Sequence, residues 1–290
     1  MNKIDSVLGQ RVTYPQTYSP GVLGAVERQL NRKGLNIKDD ALPFAGCDAW
    51  HAYEASCLTN AGLPTAGVLK IVVPCTSAYI VESKSLKLYL NSYNMERMGA
   101  TPAEATRNME QRVRRDLSDL LGADVLVKHF GMGTPTLNMG LASDYETIDE
   151  KLGDIVADRY TEDASLLGDG ETSGDGIRVI SHLLRSNCRV THQPDWGTIV
   201  VRMGGGRVPK REDLLRYIVS LRGENHFHEE ICELVFKRIS DAFAPQELMV
   251  ACLYTRRGGI DINPIRATSG ELIIKELADV DTLTDRPLRN

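Results

Sequence analysis

The densest concentration of reactive side chains in the sequence is SNCRVTHQPDWG, Ser186 to Gly197. It places a thiol at Cys188, an imidazole at His192 and a carboxylate at Asp195. A thiolate beside a carboxylic acid is equipment for covalent catalysis: sulfur attacks an electrophilic carbon while the acid protonates the atom that takes up the electrons. The same stretch also suits a small residue at a strand end, the commoner fate of a free cysteine. Charge favours the chemical reading. Arg185 and Arg189 flank Cys188, and local positive charge lowers a thiol pKa and enlarges the thiolate fraction. Cys57, Cys75, Cys232 and Cys252 have apolar or small neighbours and read as core or strand residues, while Cys47, in FAGCDAW, reads either way.

Three further stretches carry chemistry in their spacing. VESKSLKLYLNSY, from Val81, marks a strand-to-helix junction where Ser83 can cap and Glu82 meets the helix N-terminus. Lys84 and Lys87 are then close enough to hold a phosphate; the pattern equally describes an amphipathic helix with solvated lysines. FHEE opens another helix with His228 and Glu229, which also pass as ordinary first-turn residues. YTRRGG sets Arg256 and Arg257 against Gly258 and Gly259, a phosphate-binding turn or simply a charged hairpin tip. There is no G-x-G-x-x-G, no G-x-x-x-x-G-K-[ST], no C-x-x-C and no H-E-x-x-H, so neither nucleotide fingerprint nor zinc or thioredoxin-type spacing is supported.

These residues need a scaffold. The chain has 290 residues, 42% hydrophobic and 25% charged, enough for a sizeable core in two units. A net charge of -5 argues against general nucleic-acid binding, which needs a basic surface. No apolar run approaches the roughly 18 residues of a membrane span, and the first twenty residues lack a secretory core. The expected location is the cytoplasm, with all six cysteines reduced.

The same element order occurs twice. In the first half, DAWHAYEASCLT and AGVLKIVVPCTSAYI read as strands. A helix follows from Ser83 through SKSLKLYLNSYNMERM, then a second over 101–122. Thr101 with Glu104 is a capping box, Pro102 sits in the first turn and Gly122 stops the helix. Met109, Val113, Leu117 and Leu120 give this helix its core face. ADVLVKHFG closes the unit as a strand. After an acidic, Gly- and Ser-rich stretch at 161–177, read as a linker or long surface loop, the plan repeats. IRVISHLLRSNCRV and WGTIVVRMGG read as strands about a THQPD bend. Helices follow at KREDLLRYIVSLRG and about 226–243, and ELMVACLYTRRGGIDINP is a hairpin. The expected class is α+β, each half an antiparallel sheet with a helix pair on one face.

In order, ESKSLKLYLNSYN, LLRSNCRVTHQPDWG, FHEE and YTRRGGIDINP resemble the long form of the NADPH-dependent 7-cyano-7-deazaguanine reductase family, QueF. The likeness extends to GVLGAVERQLNRKGLNI and LPFAGCDAWHAYEASCL near the start. The resemblance implies tandem tunnelling-fold (T-fold) modules, residues 1–160 with the ESKS motif and 178–290 with the catalytic cysteine. It implies a cytoplasmic homodimer in queuosine synthesis for tRNA modification, reducing the nitrile of 7-cyano-7-deazaguanine to a primary amine with two NADPH. It makes Cys188 the nucleophile of a covalent thioimidate, Asp195 the general acid and His228 an aid to proton transfer. Substrate contacts fall at Val81, Glu82, Ser83, His228 and Glu229, with Glu229 accepting the N–H donors of the deazaguanine edge. NADPH falls at Ser83, Lys84, Arg257 and Gly258. No metal, membrane or direct nucleic-acid contact is implied, and His192 carries no role. Two rivals remain: a zinc-dependent cyclohydrolase on the same fold, for which the sequence offers no suitable ligand spacing, and a catalytically silent purine- or tRNA-binding subunit.

Overall fold

A computed structural model describes residues 14–149 and 155–285; most of the opening stretch read for a secretory segment lies outside them. In chain order the main strands are β1 (Ala45–Ala55), β2 (Gly67–Pro74), β3 (Leu126–Gly131), β4 (Ile177–Ser181), β5 (Arg185–Cys188), β6 (Pro194–Met203), β7 (Asn225–His226), β8 (Leu248–Tyr254) and β9 (Ile260–Ala267). The longer helices are α1 (Ser83–Asn91), α2 (Pro102–Leu121), α3 (Arg211–Ser220) and α4 (His228–Phe243). The molecule is α+β and its sheet is largely antiparallel.

The two halves share that sheet. Among the described residues ten strands join in the order β7-β5-β6-β8-β9-β1-β2-β3, with β4 alongside β6 and the two-residue strand Glu146–Thr147 alongside β4. The seam is β9, which returns from the final hairpin to pair along its length with β1, Ile260 opposite Ala52 through to Ala267 opposite Ala45. Alternation along the strands then decides what each face meets. Trp50, Ile71 and Ile262 pack with α1 and α2, and Val201, Val250 and Cys252 pack with α3 and α4, so all four helices cover one face. Ala49, Val200, Ala251 and Ile265 point the other way, beneath Leu272, Ile274 and Leu277 of the C-terminal segment.

Local signals explain most element ends. The Thr101 hydroxyl accepts the Glu104 amide at 3.2 Å, and the Glu104 carboxylate accepts the Ala100 amide at 2.8 Å. Gly122 ends α2 in the left-handed conformation at φ 62°. The buried stripe of α2 is Met109, Val113, Leu117 and Leu121; Leu120 is only partly covered. The helix from Ser83 ends at Asn91 rather than running to Met98, because the Ser92 hydroxyl turns back onto the Tyr89 carbonyl at 2.6 Å. Strand AGVLKIVVPCTSAYI is two: β2 stops at Pro74, and Tyr79–Val81 pairs instead with Ala25–Glu27. Within 161–177, expected as a linker or loop, Ala164–Leu167 forms a 3-10 turn with Leu167 fully buried, and Glu171–Ser173 pairs with Gly206–Val208. No helix among the described residues is long and apolar enough to cross a membrane.

One charged cluster ties the halves together beneath the helices. Arg266 of β9 donates to Asp48 of β1 and to Glu233 of α4, both at 2.8 Å. Arg32 holds Glu233 through two bonds of 2.9 and 2.7 Å, and Arg28 holds Asp48 at 2.5 Å. Burial alone would raise the carboxyl pKa values of Asp48 and Glu233, but the arginines outweigh it and hold both below the usual range. A depressed carboxyl pKa contributes stability that is present above the unfolded value and lost as pH falls through the folded one. Removing one member leaves buried carboxylates short of a cation, which costs about 3–5 kcal/mol. Arg266→Met should therefore lose about that much in chemical denaturation at neutral pH. A change below about 1 kcal/mol would show that Arg28 and Arg32 suffice.

Candidate active site

The cysteine segment forms a shoulder on the sheet. In β5 and β6, Ser186 pairs with Asp195. Period two then sets Ser186, Cys188 and Asp195 on one face of the ladder. A tight bend follows Cys188: its amide donates to the Gln193 carbonyl at 2.8 Å, and its own carbonyl accepts the His192 amide at 3.0 Å. His192 takes a left-handed φ of 55°, and its Nδ1 meets Asn225 Oδ1 at 2.7 Å. It secures the bend to β7. Cys188 alone of the six cysteines is not buried.

Parallel pairing of Cys188 with His226 brings the start of α4 alongside. Glu230 fastens that start, accepting the Phe227 amide at 3.0 Å, His226 Nδ1 at 3.2 Å and the Arg189 guanidinium. Arg185 donates to the Arg222 carbonyl. The two arginines expected to act on the thiol are thus both engaged, Arg189 with a carboxylate.

His228, first in α4, lies flat on Tyr254, with ring centroids 3.8 Å apart and planes 11° off parallel. Its Nε2 is 3.4 Å from Asp195 Oδ2, and Arg257 pairs with Asp195 Oδ1. Burial pushes the Asp195 carboxyl upward, but His228 and Arg257 together bring it below its ordinary value. Glu229 is different. It is 2% exposed and its Oε1 has no hydrogen-bond partner. Burial first, then the charge of Asp48, pushes its carboxyl up to about 8 against the opposing Arg28 and Arg266.

These groups share a cleft of about 530 Å³ with the start of α1. Val81, Ser83, Lys84 and Lys87 line it from the first half, and Cys188, Asp195, His228, Glu229, Arg257 and Gly258 from the second. Glu82 does not line it. Its carboxylate caps α1, accepting the Lys84 amide at 2.9 Å and the Ser85 amide at 2.8 Å. Those two amides are therefore already taken, which leaves a phosphate at this helix start the side-chain cations and the Ser83 hydroxyl and amide. Lys87 Nζ bridges Glu54 Oε2 at 3.0 Å and the Gly258 carbonyl at 2.6 Å, tying α1 to the Arg257 turn. That turn needs its glycines: Gly258 and Gly259 stand at φ 61° and 80°, and a Cβ on Gly258 would come within 3.2 Å of Lys87 Cδ. Lys84, Lys87 and Arg257 around an open glycine turn suit a phosphorylated cofactor.

Sequence patterns alone did not single out Trp50, Gln193, His226 or Phe227, which also line the cleft. Trp50 shows only as an inward residue of β1. The ENHFHEE run held the signal for His226 and Phe227, directly before His228.

Both halves of the chain resemble known proteins. Residues 14–129 match the family model "Nitrile reductase, 7-cyano-7-deazaguanine-reductase N-term", and residues 194–271 match "QueF-like protein". The chain is 42% identical over 278 residues to the NADPH-dependent 7-cyano-7-deazaguanine reductase of an Azoarcus species, covering 95% of each chain. It is 43% identical over 277 residues to the protein of that name from Aromatoleum aromaticum, again 95% of each. A third, from Stenotrophomonas maltophilia, is 43% identical over 268 residues, 92% of this chain and 93% of the relative. With both halves matched and the likeness running nearly end to end, this chain belongs to the 7-cyano-7-deazaguanine reductase family of nitrile reductases.

Proposed function

We propose that the protein reduces the nitrile of 7-cyano-7-deazaguanine to the primary amine in an NADPH-dependent reaction, the step of queuosine synthesis implied by its sequence motifs. The observation that carries this reading is the convergence in one cleft of a half-buried thiol, an acid and a buried carboxyl with one unpartnered oxygen: Cys188, Asp195 and Glu229. A nitrile carbon accepts hydride poorly until its triple bond is weakened. Cys188 sulfur attacks that carbon, one C–N π bond opens onto nitrogen, and Asp195 supplies the proton, leaving a covalent thioimidate. His228, stacked on Tyr254, holds Asp195 and relays protons to it. The cofactor supplies hydride; Ser83, Lys84, Arg257 and Gly258 would hold it. Intact mass measured after mixing with the nitrile and no NADPH tests the reading. A gain of the full substrate mass is expected, and an unchanged mass at any substrate concentration would sink it.

Val81 and Ser83 wall the substrate end, and Glu82 supports them from behind as the helix cap. Glu229 receives the N–H donors of the deazaguanine edge. A carboxyl raised to about 8 is mostly protonated at neutral pH, whereas those donors require the carboxylate. Binding should therefore release a proton approaching one per site near pH 7, and affinity should rise with pH until about 8 and then level. Calorimetric titration in two buffers of different ionisation enthalpy reads this directly. Glu229→Gln should abolish the release; wild-type binding without release would remove Glu229 from the donor-accepting role.

The two halves read as tunnelling-fold modules, 1–160 and 178–290, with 161–177 between them. The two family matches, one on each side of that segment, support this division. A cytoplasmic homodimer completes the proposal.

A further inference from the structure

The cleft contains one contact that the proposed chemistry does not call for. Arg257, assigned above to the cofactor, is paired with the general acid. Its two terminal nitrogens reach Asp195 Oδ1 and Gln193 Oε1. Asp195 is 3% exposed, while the Arg257 side chain is 37% exposed. The Arg257 backbone is fixed by its amide on the Ile260 carbonyl at 2.9 Å, but its side chain is partly exposed where it lines the cleft with Gly258. It is a partly exposed head on a fixed base.

We propose that Arg257 controls where the single proton of the Cys188–Asp195 pair resides, and that a phosphate entering beside Lys84 and Gly258 releases that proton to Asp195 by competing for the guanidinium. This rests on the nitrile-reductase reading of Cys188 and Asp195. Between the loss of its first and second protons such a pair holds one, as thiol with carboxylate or as thiolate with carboxylic acid. Only the second arrangement is productive: the S–C bond forms, a C–N π pair moves to nitrogen, and the carboxylic acid becomes carboxylate as the nitrogen gains its proton. No oxidant or reductant is involved in this step.

Arg257 favours the unproductive arrangement because it stabilises the carboxylate. The other charged and titratable groups lining the cleft with Asp195 are Tyr14, His228 and Glu229 from α4, His226 from β7, Lys84 and Lys87 from α1, and Cys188, with Tyr254 of β8 stacked on His228. Of these, His228 and Arg257 hold its carboxyl down. His228 is pinned between Tyr254 and Asp195, whereas Arg257 is partly exposed and can leave. Arginine pairs bidentately with phosphate, so a cofactor phosphate is a direct competitor for the same fork. Once Arg257 turns to phosphate, Asp195 holds its proton to a higher pH. The chain thereby links the cofactor subsite to the readiness of its acid, and the link runs through one side chain.

The test uses NADP+, which binds without delivering hydride. Thioimidate formation is followed by quenched intact mass across pH in the full-length protein, with and without saturating NADP+, its binding checked by fluorescence. Two limbs bound the one-proton state, the lower belonging mainly to Asp195. In the wild type, NADP+ should move that lower limb to higher pH and speed adduct formation, by about tenfold for each pKa unit gained. Without NADP+, Arg257→Gln should already show the raised limb and the faster adduct, and NADP+ should then add nothing. Arg257→Lys should restore the low limb, since a cation is back within reach. Lys84→Ala should need more NADP+ but reach the wild-type shift at saturation. An unchanged wild-type profile with NADP+ bound, or a shift that persists in Arg257→Gln, would overturn the proposal while leaving the nitrile-reductase reading intact. A wild type that gains no substrate mass at any pH would overturn both.

Discussion

Cys188→Ala will gain no substrate mass and show no nitrile reduction, with stability within about 0.5 kcal/mol of the wild type. The expectation follows from where the thiols lie. Only a thiolate attacks a nitrile, and an attacking sulfur must reach the cleft. Cys47, Cys57, Cys75, Cys232 and Cys252 are all buried. Burial pushes the Cys47 thiol up to about 12, and raises Cys57, Cys75 and Cys232 as well. Cys188 lines the cleft at the end of a short strand, on a bend closed by its own backbone. Its side chain closes no core, so truncation removes the chemistry and little packing. A Cys188→Ala protein that still gains the substrate's mass would place the nucleophile elsewhere.

What could be read from the sequence is what local physics decides. The capping box at Thr101 and Glu104, the stop at Gly122 and the hairpin turning on Gly258-Gly259 are each written within a few residues, and each stands where its pattern puts it. The segment from Ser186 to Gly197 carries its thiol and carboxylate onto one face because strand alternation leaves no other choice. Contacts between distant residues are another matter. No pattern in the sequence marks Arg28, Arg32 or Arg266 as buried, yet all three are, since each finds a carboxylate brought by another element. Glu82 reads as a helix-start carboxylate, and only the fold shows that it spends both oxygens on the cap instead of facing the cleft. The flanks of Cys188 have distant partners too. Arg189 is drawn to Glu230, 41 residues on, a partner that the residues around Cys188 do not announce. Arg257 and Asp195, 62 residues apart, share an ion pair that neither motif announces.

Asp195→Asn should slow thioimidate formation by about 10²–10⁴-fold, the usual contribution of a positioned proton donor. Asparagine keeps the shape and can still accept from Arg257, so the loss isolates the proton rather than the packing. The variant should also lose the lower limb of the pH profile, because no titrating group remains at that position. The Asp195 carboxyl is held low in the folded protein, so it contributes stability that is present above its unfolded pKa and lost as pH falls through the folded value. The amide contributes no such term, and the variant's denaturation midpoint should therefore depend less on pH below about 4 than the wild type's. An adduct rate near that of the wild type would remove Asp195 from the acid role and leave His228 as the donor. A slow rate with an unchanged lower limb would assign that limb to a different group and limit Asp195 to orienting the nitrile. Only the combined loss of rate and limb identifies the carboxyl between Arg257 and His228 as the acid that lets sulfur add to the triple bond.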